Sequence, residues 1–178
     1  MKKFILWVTF ATLLCTCKKD DQDCPPDLPC ATQVGANTFG CYINGEPWVA
    51  EIESYVLDPT AHKIEASYDE TDYGNFNDNY FRVLGAYRGD TSSSLIIHFK
   101  PLLYEGSIFF DALTFYGIEY RTPHDLYKID PNSPYKITVT NLNTDKNIAS
   151  GVFHFTCISD NDTLLVTDGR FDVKYGQE

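Results

Sequence analysis

The sequence predicts an all-β protein with one domain of antiparallel strands. Apolar and polar residues alternate in short runs through most of the chain after residue 38. Turn chemistry falls between these runs: Asn44-Gly45 suits a tight hairpin, and Asp168-Gly169 is a signal for a turn or a bulge. Tyr and Phe number 12 each against a single Met, and aromatic side chains suit the half-buried surface of a pleated sheet. No segment has a convincing helical period.

Each predicted strand is a run in which every second residue is apolar, so that one face packs on the core and the other faces water. In chain order these runs fall in 39–43, 48–57, 62–68, 80–88, 95–100, 136–140, 151–157 and 170–175. Roughly eight to ten strands in one domain predict a single antiparallel β-sandwich of the jelly-roll type. A closed calycin-like β-barrel is the alternative, because strand periodicity is the same in both.

The first 16 residues have the layout of an export signal. Lys2 and Lys3 precede an apolar run, residues 4–14, that is shorter than the roughly 20 residues of a membrane-spanning helix. A buried helix is the alternative, but the run has no polar face. The next residues resemble a bacterial lipobox, in which Leu lies three residues before the lipid-modified Cys. Cys17 fits this spacing better than Cys15, because a bulky Leu directly precedes Cys15.

The residues after Cys17 also indicate export. The run KKDDQD at 18–23 resembles the signal that directs Bacteroidota lipoproteins to the cell surface, and an ordinary solvated charge run is the alternative. We predict a signal peptide over 1–16, an acidic, Pro-rich tether over 17–37 and the β domain over 38–178. Acyl chains such as palmitate on Cys17 would hold the protein in the outer membrane, at the cell surface.

The charge of the chain restricts its partners. The formal net charge is −11, and removal of Lys2 and Lys3 with the signal peptide makes it −13. An acidic protein repels polyanions, so we expect no nucleic-acid partner. The expected membrane contact is the lipid on Cys17.

Four cysteines follow Cys17, and an even number in an exported chain suggests disulfides. We expect one bridge between Cys24 and Cys30, which flank a short, proline-stiffened segment. A second bridge is expected between Cys41 and Cys157, because the alternation of apolar and polar residues predicts that both face inward. Two free, buried thiols are the alternative. No Cys-x2-Cys pair and no His at ligand spacing supports a zinc site.

Both ends of the domain are similar to one family. The opening NTFGCYING at 37–45 with Trp48, and the closing runs GVFHFT at 151–156 and VTDGRFDVKY at 166–175, carry the likeness. They resemble an all-β domain of unknown function found in many Bacteroidota lipoproteins. The resemblance covers roughly residues 32–175. It implies an exported, lipid-anchored β domain, and it implies no established chemistry and no catalytic residue.

The most unusual stretch for ligand binding is residues 68–79. It places aromatic rings beside carboxylates and amides, a composition with which protein surfaces hold sugars. The candidate residues of this predicted loop are Tyr68, Asp69, Asp72, Tyr73, Phe76 and Asp78. Asp69, Asp72 and Asp78 are also candidate Ca²⁺ ligands, although the order of an EF-hand loop is absent. A solvated hairpin loop is the alternative.

Other chemical signals are few. The histidines His62, His98, His124 and His154 are spread along the chain and are expected to be solvated, and the common catalytic motifs are absent, so we predict no cofactor. Asp162-Thr163-Leu164 resembles the Asp-Thr-aliphatic site at which exported Bacteroidota proteins are O-glycosylated on Thr, with chance occurrence as the alternative.

Together these features favour a surface lipoprotein that binds a glycan or a protein partner. One alternative is a hydrolase that works through carboxylates such as Asp69, Asp72 or Asp78. The other is a purely structural component of the envelope. Binding is favoured over catalysis, because no catalytic motif accompanies these carboxylates.

Overall fold

The computed structural model describes residues 24–52, 64–72, 77–88, 92–99, 106–108, 115–160 and 162–176. These residues form strands, turns and short connections, which confirms the all-β prediction. The strands are β1 (Thr38–Ile43), β2 (Glu46–Val49), β3 (Glu51–Ile52), β4 (Ile64–Asp72), β5 (Asn77–Arg88), β6 (Ser93–Phe99), β7 (Gly106–Ile108), β8 (Phe115–Arg121), β9 (Leu126–Ile129), β10 (Lys136–Asn143), β11 (Ile148–Ile158) and β12 (Thr163–Lys174). The described part of the chain has no helix of the length and hydropathy needed to cross a membrane.

The strands make one curled sheet in the order β2-β1-β12-β11-β9-β8-β6-β5-β3. Strand β4 pairs with β5, and β10 pairs with both β11 and β7. The pairs are antiparallel except for the two-residue pair of β3 with β5. Only Ala50 separates β2 from β3, and its N–H donates to the carbonyl of Phe39 at 2.9 Å. The same short segment therefore lies at both ends of the strand order.

The turn between β1 and β2 follows from two residues. Asn44 and Gly45 both have positive φ, 52° and 86°, which is the conformation of a tight hairpin turn. Asn and Gly adopt it at little cost, so the hairpin predicted at this dipeptide is confirmed. The Asn44 side chain also accepts a hydrogen bond from the N–H of Leu165 at 2.8 Å, which fixes the turn against β12.

Aromatic rings fill the concave side of the sheet and lie over glycines. Phe39 stacks on Phe153 with ring centroids 5.5 Å apart. A Cβ built at Gly169 would stand 2.2 Å from the Phe153 ring, and one at Gly85 would stand 2.5 Å from Phe39. Phe39 is in β1 and Gly85 is in β5, so this ring spans the core between strands that are distant in the strand order. The other large, fully buried side chains among the described residues are Phe155, Phe171, Leu95, Ile97, Ile118, Ile137, Val83, Val166 and Val173.

Residues 24–37 pack against the domain, so the prediction of a tether is wrong for this part. The carboxylate of Asp172, which is 1% exposed, accepts hydrogen bonds from the N–H groups of residues 34–36 at 2.8–3.0 Å. It also accepts from the hydroxyls of Thr32 and Ser150. Leu28 is buried. The outer surface of β12 around Asp172 is thus covered by the chain that precedes β1.

One of the two predicted disulfides is present. Cys24 and Cys30 are bonded with their Cα atoms 4.5 Å apart, whereas Cys41 and Cys157 are free, buried thiols. Both of these turn inward as predicted, but β12 lies between their strands, β1 and β11. Neighbouring strands are about 4.8 Å apart, so strands separated by a third are about 10 Å apart along the sheet. That separation exceeds the roughly 4.4–6.8 Å between the Cα atoms of a disulfide.

The two free thiols should resist alkylation in the native protein. Burial raises the pKa of Cys41 and of Cys157 to about 12, and the nearby Cys157 adds to the effect at Cys41. The reactive thiolate is therefore scarce at mildly alkaline pH. We expect mass spectrometry to find the Cys41 and Cys157 peptides modified by iodoacetamide only after the protein is denatured. Recovery of a peptide pair that joins Cys41 to Cys157 would contradict the free state.

Candidate functional site

The structure places the predicted ligand loop mostly in strands. Tyr68, Asp69 and Asp72 belong to β4 and Asp78 belongs to β5, in a hairpin whose register pairs Asp72 with Asn77. The interpretation of the whole stretch as a loop is therefore wrong at these four positions. Tyr73 and Phe76 lie outside the described residues, and a sugar or Ca²⁺ site in this hairpin stays a prediction.

The histidines do not form a site together. His124 and His154 are exposed, as expected, His98 is half-buried in β6, and His62 lies outside the described residues. Burial lowers the pKa of His98; the Arg82 guanidinium lowers it further and Glu119 partly opposes this. Within the described ranges no three His, Cys, Asp or Glu side chains are grouped as metal ligands would be.

A depression of about 280 Å³ on the outer face of β10, β11 and β12 gathers several basic side chains. The sheet register makes Lys136 face His154 and places Val152 between Thr138 and Arg170. Side chains directly opposite on one face of an antiparallel pair are close neighbours. We name this site the cationic pocket, lined by Lys136, Thr138, Val152, His154, Asp168 and Arg170.

Arg170 is the buried member of the cationic pocket, with 9% of its surface exposed. Its Nε donates to the carbonyl of Asp168 at 3.1 Å and its Nη1 donates to the carbonyl of Pro29 at 3.5 Å. Among the described residues, ion pairs join Arg82 to Glu65 and Arg121 to Glu119, and none involves Arg170 or Lys136. A buried cation costs free energy unless an anion accompanies it. No described carboxylate, that of Asp168 included, lies within ion-pair distance of Arg170 or Lys136, so these two cations are left to pair with a bound anion.

Asp168 adds a carboxylate acceptor to the same pocket. Its backbone has φ 49°, a turn conformation that Asp tolerates, and the side chain is exposed. The register of β11 with β12 shifts between Phe153 and Phe155, and this bulge turns the chain at Asp168. Bulges commonly redirect a side chain in this way, so the cationic pocket combines two basic groups with one outward carboxylate.

Two larger depressions have more balanced charge. One of about 640 Å³ runs along the ends of β5, β6 and β8, with Glu65, Tyr87 and Arg121 in its lining. The two charged groups of this lining are both engaged, Glu65 with Arg82 and Arg121 with Glu119. The other, of about 580 Å³, lies beside β9 and includes Lys128 and Asp160. Neither contains a buried charge, so the cationic pocket is the stronger candidate.

Sequence reasoning did not identify the cationic pocket. Lys136 and Arg170 lie in separate predicted strands, and alternation assigned both to the outer face without relating one to the other. Only the pairing of β10 with β11 and of β11 with β12 brings them together. The one local signal was Asp168-Gly169, which marked a turn or bulge but not a ligand site.

Thr163 lies where a modification would be sterically accessible. It is the first residue of β12 and its side chain is exposed. The preceding Asp162 accepts hydrogen bonds from the N–H of Thr163 at 2.7 Å and from the hydroxyl of Tyr127 at 3.2 Å. O-glycosylation of Thr163 stays a prediction.

No family model, no curated protein and no solved structure matches this chain. The likeness to the domain of Bacteroidota lipoproteins therefore rests on the sequence motifs alone.

Proposed function

We propose that this protein is a lipid-anchored binding module of the cell surface that holds an anionic group in the cationic pocket. The observation that carries the proposal is Arg170, a cation that is 9% exposed and has no carboxylate partner among the described residues. Lys136 and His154 stand beside it on the same face. Hydrogen bonds between charged groups are the strong ones, so an anion is the ligand this arrangement favours most.

We propose that the curled sheet closes into a barrel and that the ligand binds on the outer surface of this barrel. Closure is supported by the segment of β2 and β3, which lies at both ends of the strand order. It is also supported by Phe39 of β1, whose ring covers Gly85 of β5. Packed rings occupy the interior, which favours a surface site over a site in the lumen.

One short segment of the chain connects the proposed lipid anchor to the cationic pocket. Cys17 would carry the lipid in the outer membrane, and the chain that follows it reaches the domain at the Cys24–Cys30 loop. Pro29 of this loop accepts a hydrogen bond from Arg170 of the cationic pocket. A lipid on Cys17 would thus be connected to the ligand site by a short, docked segment.

Thermal unfolding of the full chain in detergent tests the binding proposal with acetate as the probe. A ligand at 100 times its dissociation constant stabilises by about 2.7 kcal/mol. We expect acetate, compared with chloride at equal ionic strength, to raise the midpoint for the wild type. Each kcal/mol is worth roughly 2–4 °C in a domain of this size.

Two lysine variants make the test specific. Lys136→Gln removes a charge of the cationic pocket, and we expect it to lose most of the acetate shift. Lys128→Gln removes an exposed charge from β9, outside the pocket, and should keep the shift. Equal shifts in the two variants, or none in the wild type, would refute the proposal.

A further inference from the structure

We infer that the cationic pocket binds an acidic sugar, a single ring that carries one carboxylate and several hydroxyl groups. The inference rests on the proposed function and names the class of its ligand. It is drawn from the donors and the acceptor that line the pocket, from the size of the pocket and from the exposed apolar side chain of Val152.

The cationic donors and the carboxylate acceptor of the pocket suit different groups of one ligand. Arg170 and Lys136 offer only donors and positive charge, which match a carboxylate. Asp168 offers only acceptors, which match hydroxyl groups that donate. Inorganic phosphate keeps an O–H that could donate to Asp168, but at neutral pH much of it is a dianion, which this carboxylate repels. A carboxylate with several hydroxyl groups has one negative charge for the cations and neutral donors for Asp168.

The remaining lining completes a sugar site. Thr138 has a hydroxyl that both donates and accepts. Val152 has 39% of its surface exposed and lies between Thr138 and Arg170 in the sheet register. Its methyl groups give the apolar C–H edge of a ring a surface to contact. The volume of about 280 Å³ is just below the range of drug-sized ligand sites, about 300–1,000 Å³, and suits one ring.

The charge of the whole chain favours a ligand with one negative charge. With a formal net charge of −11, the protein repels a polyanion at long range. A ring with a single carboxylate experiences the weakest repulsion while it still pairs with Arg170. The same argument disfavours nucleic acid and sulfated polymers as occupants of this pocket.

Ligand-observed NMR titration of the full chain in detergent micelles tests the inference with four probes: glucuronate, glucose, acetate and inorganic phosphate. We expect glucuronate to bind about tenfold more tightly than acetate, the factor given by one added hydrogen bond to a charged group. Glucose and phosphate should bind more weakly than glucuronate. Lys136→Gln should weaken glucuronate and acetate together, whereas Lys128→Gln should weaken neither.

Asp168→Gly distinguishes binding of an acidic sugar from binding of any small anion. The change removes the acceptor and suits the positive φ of this position. We expect it to bring the affinity for glucuronate down to that for acetate, without weakening acetate. The acidic-sugar inference would be overturned if the wild type bound glucuronate and acetate equally, or if its preference for glucuronate survived Asp168→Gly. In either case, acetate binding that depends on Lys136 would still support the anion site. Tight glucose binding would also overturn it. Failure of acetate to bind in a Lys136-dependent way would overturn the proposed function itself.

Discussion

Replacing Asp172 by Asn is expected to lower the free energy of unfolding by about 3 kcal/mol, because buried donors lose a charged acceptor. The carboxylate accepts hydrogen bonds from the N–H groups of residues 34–36 and from the hydroxyls of Thr32 and Ser150. In the variant, an NH₂ group replaces one of the two carboxylate oxygens and faces other donors. Denaturant titration of the full chain in detergent measures the change.

The matched control is Asp145→Asn, in the exposed turn between β10 and β11. It should change the free energy of unfolding by no more than about 0.5 kcal/mol. Hydrogen exchange gives an independent readout, since the amides of residues 34–36 should lose protection in Asp172→Asn before the strands do. Protection that persists at these amides would show that another contact holds the segment.

The same carboxylate should make stability depend on pH in the acid range. Burial acts to raise the pKa of Asp172, but hydrogen bonds from Thr32, Ala36, Ser150 and Gly35 together outweigh it and lower the pKa. The unfolded chain therefore binds the proton more readily than the folded one. Stability from Asp172 is present above the unfolded pKa of about 3.9 and is lost as the pH falls through the lower folded value. Asp172→Asn should show a flatter loss of stability in this window.

Replacing Phe39 by Ala is expected to cost about 3–5 kcal/mol of the free energy of unfolding, the range for a fully buried Phe. The Phe39 ring is fully buried, stacks on Phe153 and meets Trp48 edge-on at 5.9 Å. Tyr42→Ala, half-buried in the same strand, is the control and should cost clearly less. Calorimetry or denaturant titration of both variants measures the difference, and equal costs would contradict the packing described.

A double-mutant cycle with Gly85 makes this prediction sharper. Gly85→Ala alone should destabilise, because its Cβ would stand 2.5 Å from the Phe39 ring. In the Phe39→Ala background that Cβ enters the space left by the ring, so the second change should be neutral or stabilising. The two effects should therefore be strongly non-additive. Additive costs would show that Phe39 and Gly85 do not contact each other across the core.

Alternation identified the strands that have one buried and one exposed face. Strands β1, β5, β6, β10 and β11 fall where the sequence predicted them, because their inward positions are consistently apolar. The run predicted at 170–175 matches only the second half of β12. Strands β7, β8 and β9 were missed. β9 has only four residues, and in β8 Gly117 has φ 132° beside a register shift, which interrupts the pattern. Strand periodicity could not distinguish a sandwich from a barrel, because both folds bury every second residue.

The sequence predicted whether a side chain faces inward or outward better than it predicted which side chains lie close together. Cys41 and Cys157 were correctly assigned to the core, but their sequence does not reveal that β12 separates them. Alternation along β12 correctly assigned Asp172 to the outer face. The segment that covers this face has no periodic pattern, so its docking could not be predicted. The cationic pocket has the same origin, because the register across three strands decides which outward residues meet.

If Cys17 carries the lipid, the docked segment also limits how far the domain can stand from the membrane. Since residues 24–36 are fixed to β12 and closed by the Cys24–Cys30 bond, only the residues between Cys17 and Cys24 remain to span any gap. If Cys17 carries the lipid, even a fully extended chain of that length gives roughly 25 Å of reach. The domain would then stay within about one of its own diameters of the bilayer. A ligand fixed to the same surface would meet the pocket at a high local concentration.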